Sequence, residues 1–278
     1  MVSLNYSKAP AAPFPTGIHD LEALILAVLA DESLPIDRSS RPAGGVNRTA
    51  ILGFSAGGNL ALAVSQLPDI RAHPLAPGAV VSVYGPLDFT VGATEKLANR
   101  PFKPQLGPPR GDASDLLSWL APTFDWSYIP YGHDLRDPLL SPAFARRENL
   151  PPYVGLVAAE LDMLAHESWT LACRLVAEGG GRARRVPDRQ SGDPAWRVCG
   201  RENPAGQDGV LEMKDERFAW ESGKIKWLLV PDVLHGFDSA HMRNVMGGGE
   251  AVIKDAEMKT RAYVADLGRW LKETVWRL

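Results

Sequence analysis

Three residues of this chain have the types and the spacing of nucleophilic chemistry. Ser55 stands in Gly53-Phe54-Ser55-Ala56-Gly57. This is a G-x-S-x-G run, in which small flanking residues let the chain bend sharply and expose a hydroxyl above the end of a strand. A serine hydroxyl attacks a carbonyl only when a base takes its proton, and the base must be oriented by a third group. Asp162 follows the apolar run Tyr153–Ala159, and His235 follows Ile225–Val230, so serine, acid and base occur in that order. The N–H of Ala56 is one donor for a developing oxyanion, helped by the start of the helix that follows.

Each of these residues has a plainer reading. Asp162 suits the cap of the helix after it. His235 suits a turn before Gly236. Glu160 and Asp232 are the rival acids, although Asp232 lies so close to His235 that it more naturally shapes the histidine loop. His19, His73, His133, His166 and His241 are not attached to strand ends in the same way, and they read as solvated or structural. Three independent placements in one order favour the chemical reading over chance.

The elements that must position these residues are legible as periodicity. Val2–Tyr6, Thr49–Phe54, Ala79–Tyr84, Tyr153–Ala159 and Ile225–Val230 read as short strands. Ile18, Leu21, Leu24, Ile25, Val28 and Leu29 make one apolar helical face. Asn59 to Leu67 has helix-forming composition. Trp169 to Val176 continues a helix begun near His166 or Glu167, and Tyr263, Leu267, Trp270, Leu271 and Val275 recur at helical spacing. Strands alternating with helices imply an α/β fold with a mostly parallel sheet flanked by helices, in a single domain. Ser55, Asp162 and His235 then share the carboxyl edge of the sheet, where sites form in open α/β folds.

Two stretches interrupt the alternation. Residues 86–150 are rich in Pro and Trp, with a short helix expected at 113–120, and read as a cap or pocket wall. Trp119, Phe124, Trp126, Tyr128 and Tyr131 either line an apolar pocket there or pack the cap's own core. Residues 179–222 are polar and glycine-rich and read as a surface insertion. The glycine runs 179–181 and 247–249 read as loops rather than phosphate cradles, since neither sits cleanly between a strand and a helix.

Composition narrows the classes. The 278 residues carry 30 basic and 33 acidic side chains, a formal net charge of −3, which gives no argument for nucleic acid or an anionic membrane. Cys173 and Cys199 make no disulfide framework and lack metal-ligand spacing to the histidines. Cys173 is expected to be a buried thiol. No stretch reaches the ~18 apolar residues of a membrane span, and the start lacks the pattern of a secretory leader, so the cytoplasm is the expected location.

The motifs together resemble the hormone-sensitive-lipase-like branch of the α/β-hydrolase superfamily. The segment Asn5-Tyr-Ser-Lys-Ala-Pro to Asp20 looks like that branch's Y-R-L-A-P-E-x-x-F-P-x-x-x-x-D. Gly53-Phe-Ser-Ala-Gly-Gly-Asn-Leu-Ala61 is close to its G-D-S-A-G-G-N-L-A, and Asp137-Pro-Leu-Leu-Ser-Pro142 matches its D-P-x-x-S-P. Leu161-Asp-Met-Leu164 and His235-Gly-Phe237 fall where the family's acid and histidine lie. The resemblance implies hydrolysis of a small or medium carboxylic ester, or a related acyl compound, through an acyl-enzyme. Ser55 would be nucleophile, His235 base and Asp162 its orienting acid, with no cofactor and no metal. Relatives in the branch also cleave amides such as formamides, and plant gibberellin receptors keep the fold but lack the histidine that this chain has. Asp20 is structural in that pattern.

The chain departs from the family at its start. It contains no H-G-G-G, the motif whose backbone N–H groups complete the family's oxyanion hole. By the family's architecture, three strands and part of the cap would precede residue 1, so the natural protein is expected to be longer. Without the strand that normally intervenes, Val2–Tyr6 is expected to pair with Thr49–Phe54, to pair with another chain in a homo-oligomer, or to leave backbone groups unsatisfied. A catalytically impaired or ligand-binding member of the same fold is the alternative function.

Overall fold

The computed structural model describes residues 1–38, 45–180 and 218–278. Its five-stranded sheet runs in the order β1-β2-β3-β5-β4, with β1 Ala50–Phe54, β2 Ala79–Val83, β3 Tyr153–Ala159, β4 Ala219–Ser222 and β5 Ile225–Val230. β1, β2, β3 and β5 are parallel, and only β4 is antiparallel. The fully buried runs of β2, β3 and β5 are almost wholly apolar, as strands covered on both faces must be. The expected α/β sheet is therefore present.

Alternation along the strands divides the core in two. Val80, Val154, Leu156 and Trp227 face helices α2 (Ala56–Val64) and α6 (Ala165–Glu178). Val81, Val83, Val157 and Leu228 face α8 (Gly249–Arg269), whose Tyr263 and Leu267, with Trp270 beyond it, form the opposite layer. Helix α1 (Thr16–Ala30) uses the expected stripe of Ile18, Leu21, Ile25 and Leu29 to pack onto α2 and α3 (Pro68–Ala72). The remaining helices are α4 (Ala93–Ala98), α5 (Leu116–Tyr128) and α7 (Ala240–Met246).

Two expectations need correction. Val2–Tyr6 is not a strand and does not pair with β1. Its alternation is used differently: Leu4 and Tyr6 pack on the α1 cluster, while the Ser7 N–H donates to Asp20 at 2.8 Å. The Asp20 carboxylate is thus structural, as the resemblance implied. The helix expected at 113–120 begins later and runs further, because the Asp115 carboxylate accepts from the Leu117 N–H and caps α5 at its first turn. The insertion at 179–222 falls mostly on residues outside the described set, and its last residues form strand β4.

β1 lies at the sheet's edge. The Thr49 carbonyl accepts from the Gly78 N–H and the Ser55 N–H donates to the Val83 carbonyl, both at 2.9 Å. Odd-numbered residues therefore face β2, and the backbone of Ala50, Leu52 and Phe54 points to the outer edge, with no strand partner among the described residues. Leu52 and Phe54 are 41% and 48% exposed, so the nucleophile strand is covered on the α1–α2 face only.

Candidate active site

The serine sits on a strained turn. Ser55 follows β1 directly, has φ +52°, and stands at the N-terminus of α2. A non-glycine residue in that region is uncommon and persists only where its surroundings hold it. Here the Ser55 N–H is tied to β2 while the Ser55 carbonyl already accepts from Gly58 and Asn59. Gly53 and Gly58 are steric necessities, whereas a Cβ on Gly57 would meet open space. A Cβ on Gly53 would lie 1.9 Å from the Gly57 carbonyl oxygen, and one on Gly58 would lie 2.6 Å from Ser82 Oγ.

The acid and the histidine arrive from neighbouring strands. Asp162 follows β3, and His235 follows the adjacent β5. Ser55 Oγ is 2.8 Å from His235 Nε2, and His235 Nδ1 is 2.7 Å from Asp162 Oδ2. The tautomer that fits has Nδ1–H donating to Asp162 and the Nε2 lone pair accepting from the serine hydroxyl. The other oxygen of Asp162 accepts from the Leu164 N–H at 3.0 Å just before α6, whose cap position is Leu164 rather than Asp162. The rival acids do not reach the histidine: Glu160 and Asp232 both bind Lys103. Of the remaining histidines, His73 accepts from the Leu75 N–H and His133 meets Asp137, while His19 and His241 are exposed.

Burial opposes protonation of His235, but Asp162 outweighs it, aided by Asp115 and Asp238, and the imidazole is held above its ordinary value of 6.5. The acid turn is clamped from the 86–150 region. Arg100 Nε donates to the Leu161 carbonyl at 2.6 Å, and Asp115 accepts from the Met163 N–H at 3.2 Å. Sequence patterns gave no sign of these contacts, because neither residue belongs to a strand end or a recognisable motif.

Tyr84 was also missed, although it directly follows β2. It has φ +41°, and its ring lies edge-on to the His235 imidazole with centroids 4.8 Å apart. Its hydroxyl and that of Tyr263 both donate to Asp238, fixing the histidine loop against α8. Burial, with the Asp238 charge, raises the Tyr84 phenol well above its usual range, so it remains a donor at any working pH. Tyr84→Phe removes one charge-assisted hydrogen bond and is expected to lower stability by about 1.5–3 kcal/mol. Chemical denaturation of the two proteins measures it.

Beside Ser55 lies a cavity of about 340 Å³. Leu60, Phe89, Leu117, Ala121, Phe124 and Met163 give it apolar walls. Phe124 and Tyr128 line it, as expected of the 86–150 aromatics. Trp119, Trp126 and Tyr131 neither line it nor pack a core, and Trp119 and Trp126 are 77% and 79% exposed. Ala56, at the first turn of α2, borders the same cavity. Among the described residues no cluster of His, Cys, Asp and Glu could hold a metal ion, and no helix is long and apolar enough to cross a membrane. Cys173 is a buried thiol, and Cys199 lies outside the described residues.

Comparison with known proteins gives the same fold. The Carboxylesterase NlhH of Mycobacterium tuberculosis is 29% identical to this chain over 188 residues, 64% of this chain and 51% of that protein. The chain thus spans about half the length of the curated relatives it matches. An esterase of Pyrobaculum calidifontis superposes with a TM-score of 0.61 at 20% identity, covering 99% of this chain and 66% of that one. Carboxyl esterase 2 of Tuber melanosporum gives a TM-score of 0.60 at 17% identity, with 98% and 66% covered. A sequence profile described as alpha/beta hydrolase fold matches residues 1–188, more than half of the chain. The protein belongs to the alpha/beta hydrolase fold family, in the hormone-sensitive-lipase-like branch that its motifs resemble.

Proposed function

We propose that this protein is a serine hydrolase that cleaves small or medium carboxylic esters through an acyl-enzyme. The observation that carries this reading is the unbroken hydrogen-bonded line from Ser55 Oγ through His235 to Asp162, opening on an apolar cavity. Similarity to carboxylesterase NlhH supports it.

In the reaction, Ser55 Oγ attacks the ester carbonyl carbon while its proton passes to His235 Nε2. Asp162 remains ionised and stabilises the imidazolium it orients. The tetrahedral intermediate collapses, His235 returns the proton to the leaving alkoxide, and the acyl group stays on Ser55. Water then attacks the acyl-enzyme by the same route, with His235 again acting as base. The Ala56 N–H, at the positive end of α2, stabilises the oxyanion. Removing one donor from such a site typically costs about 10²–10³ in turnover. An impaired or ligand-binding member of the fold is the second reading. The engaged His235 favours the enzyme.

The apolar cavity sets the acyl size. Hydrolysis of p-nitrophenyl acetate, butyrate and hexanoate is expected to exceed that of long-chain esters. Ala121→Phe fills the cavity from α5 and is expected to lower kcat/KM for the butyrate by about 10-fold while changing the acetate far less. Equal loss on both esters would place the acyl chain elsewhere. Binding of the esters with no turnover would support the second reading.

A further inference from the structure

Beneath the loops that carry Asp162 and His235 lies a buried network of ions that the reaction does not use. Lys103 Nζ is 2.9 Å from Glu160 Oε2 and 2.7 Å from Asp232 Oδ1. The Asp232 N–H donates to the same Glu160 oxygen at 2.8 Å. Arg110 reaches the Asp255 carboxylate at 2.8 Å and the Asp232 carbonyl at 3.4 Å, and Lys259 Nζ lies 2.6 Å from Asp255. All six side chains are buried. Lys103, Arg110 and Lys259 balance Glu160, Asp232 and Asp255 in formal charge.

The connectivity is informative. Glu160 stands in the turn that delivers Asp162, and Asp232 in the turn that delivers His235. The two turns are also joined by the Leu161 N–H donating to the Val233 carbonyl at 3.0 Å. Asp232 has φ +55°, a conformation that must be held in place. Lys103 bonds both turns at once, and unlike Glu160 it does so from outside them, from the 86–150 region.

We propose that Lys103 is a positioning residue: its ammonium clamps the Glu160 turn to the Asp232 turn and so fixes the Asp162–His235 hydrogen bond. Its mechanistic value rests on the triad reading above. The clamp itself is a statement about geometry, and it can be tested without turnover. Burial in this site disfavours the charged ammonium, but Glu160 and Asp232 overcome that and keep Lys103 protonated. Misplacing a reacting group by about 1 Å can cost about 10²-fold in rate, so a clamp on the orienting pair is worth that order.

Lys103→Met alone leaves two buried carboxylates without their cation and is expected to fold poorly. Lys103→Met combined with Glu160→Gln keeps the network balanced, and its amide oxygen still accepts the Asp232 N–H. The measurements are thermal unfolding, kcat and KM on p-nitrophenyl butyrate, and the low-field proton resonance of the His235 Nδ1–H. The double variant is expected to unfold cooperatively, to keep KM within about 3-fold, to lose about 10²-fold in kcat, and to shift or broaden the Nδ1–H signal. Glu160→Gln, which leaves Lys103 on Asp232, is the second folded reference and is expected to lose less. A double variant with wild-type kcat and resonance would overturn the clamp. So would a Glu160→Gln resonance as perturbed as the double variant's, because Lys103 would then be dispensable. A wild-type protein with the low-field signal but no hydrolysis would defeat the proposed function and leave the clamp standing.

Discussion

Ser55→Ala is expected to lower kcat on p-nitrophenyl butyrate by about 10⁴–10⁶-fold while the protein stays folded. The substitution deletes one oxygen, the atom 2.8 Å from His235 Nε2. Among the described residues, the hydroxyl bonded to His235 is that of Ser55. Ser82 Oγ lies behind the turn, against the positions a Cβ on Gly58 or Gly85 would occupy. Alanine keeps the same backbone demand as serine at φ +52°, so the elbow itself survives. Rates of the two proteins, measured beside their thermal transitions, separate loss of chemistry from loss of fold. A mutant rate within tenfold of wild type would remove Ser55 from the mechanism.

Asp162→Asn carries the second large effect. The amide retains the hydrogen bond to the Leu164 N–H but presents the wrong partner to His235 Nδ1, stabilising the wrong tautomer, and about 10⁴-fold in kcat is expected to go. The pH profile gives an independent reading. Burial drives the imidazole pKa down, and the Asp162 carboxylate more than restores it, so the wild-type value lies above 6.5. The base works only when neutral, so kcat/KM rises with pH through a midpoint above 6.5. In Asp162→Asn burial prevails and the midpoint falls. Stability follows the sign of the same shift. A raised folded pKa stabilises the protein fully below the unfolded value and loses that contribution as pH rises through the folded one. The variant is therefore expected to lose more stability at pH 5.5 than at pH 9, as denaturant titrations at the two pH values would show.

The triad was legible because each member follows an apolar run of strand length, and the parallel order of β1, β3 and β5 turns three distant sequence positions into one sheet edge. Four of the five expected strands are present: β2, β3 and β5 are buried on both faces and carry almost no alternation to misread, while β1, exposed on one face, still reads as an unbroken apolar run. Val2–Tyr6 shows the limit of that signal. An alternating apolar run fits packing against a helix as well as a ladder, and only tertiary context assigns Leu4 and Tyr6 to α1. β4 was hidden because four residues at the sheet's end carry too short a pattern. The contacts around the site were illegible. Arg100, Lys103, Asp115 and Tyr84 act through contacts across long sequence separations, with no periodicity to announce them.

If Ser55 is a nucleophile activated by His235, a covalent trap for serine oxygens will capture it. Diethyl p-nitrophenyl phosphate transfers its diethylphosphoryl group to an activated serine oxygen and releases p-nitrophenolate. Mass spectrometry of the digested protein then locates the added group. One adduct is expected, on Ser55, absent from Ser55→Ala and formed far more slowly by His235→Ala. An unmodified Ser55 in folded protein, or equal labelling in the presence and absence of His235, would contradict it.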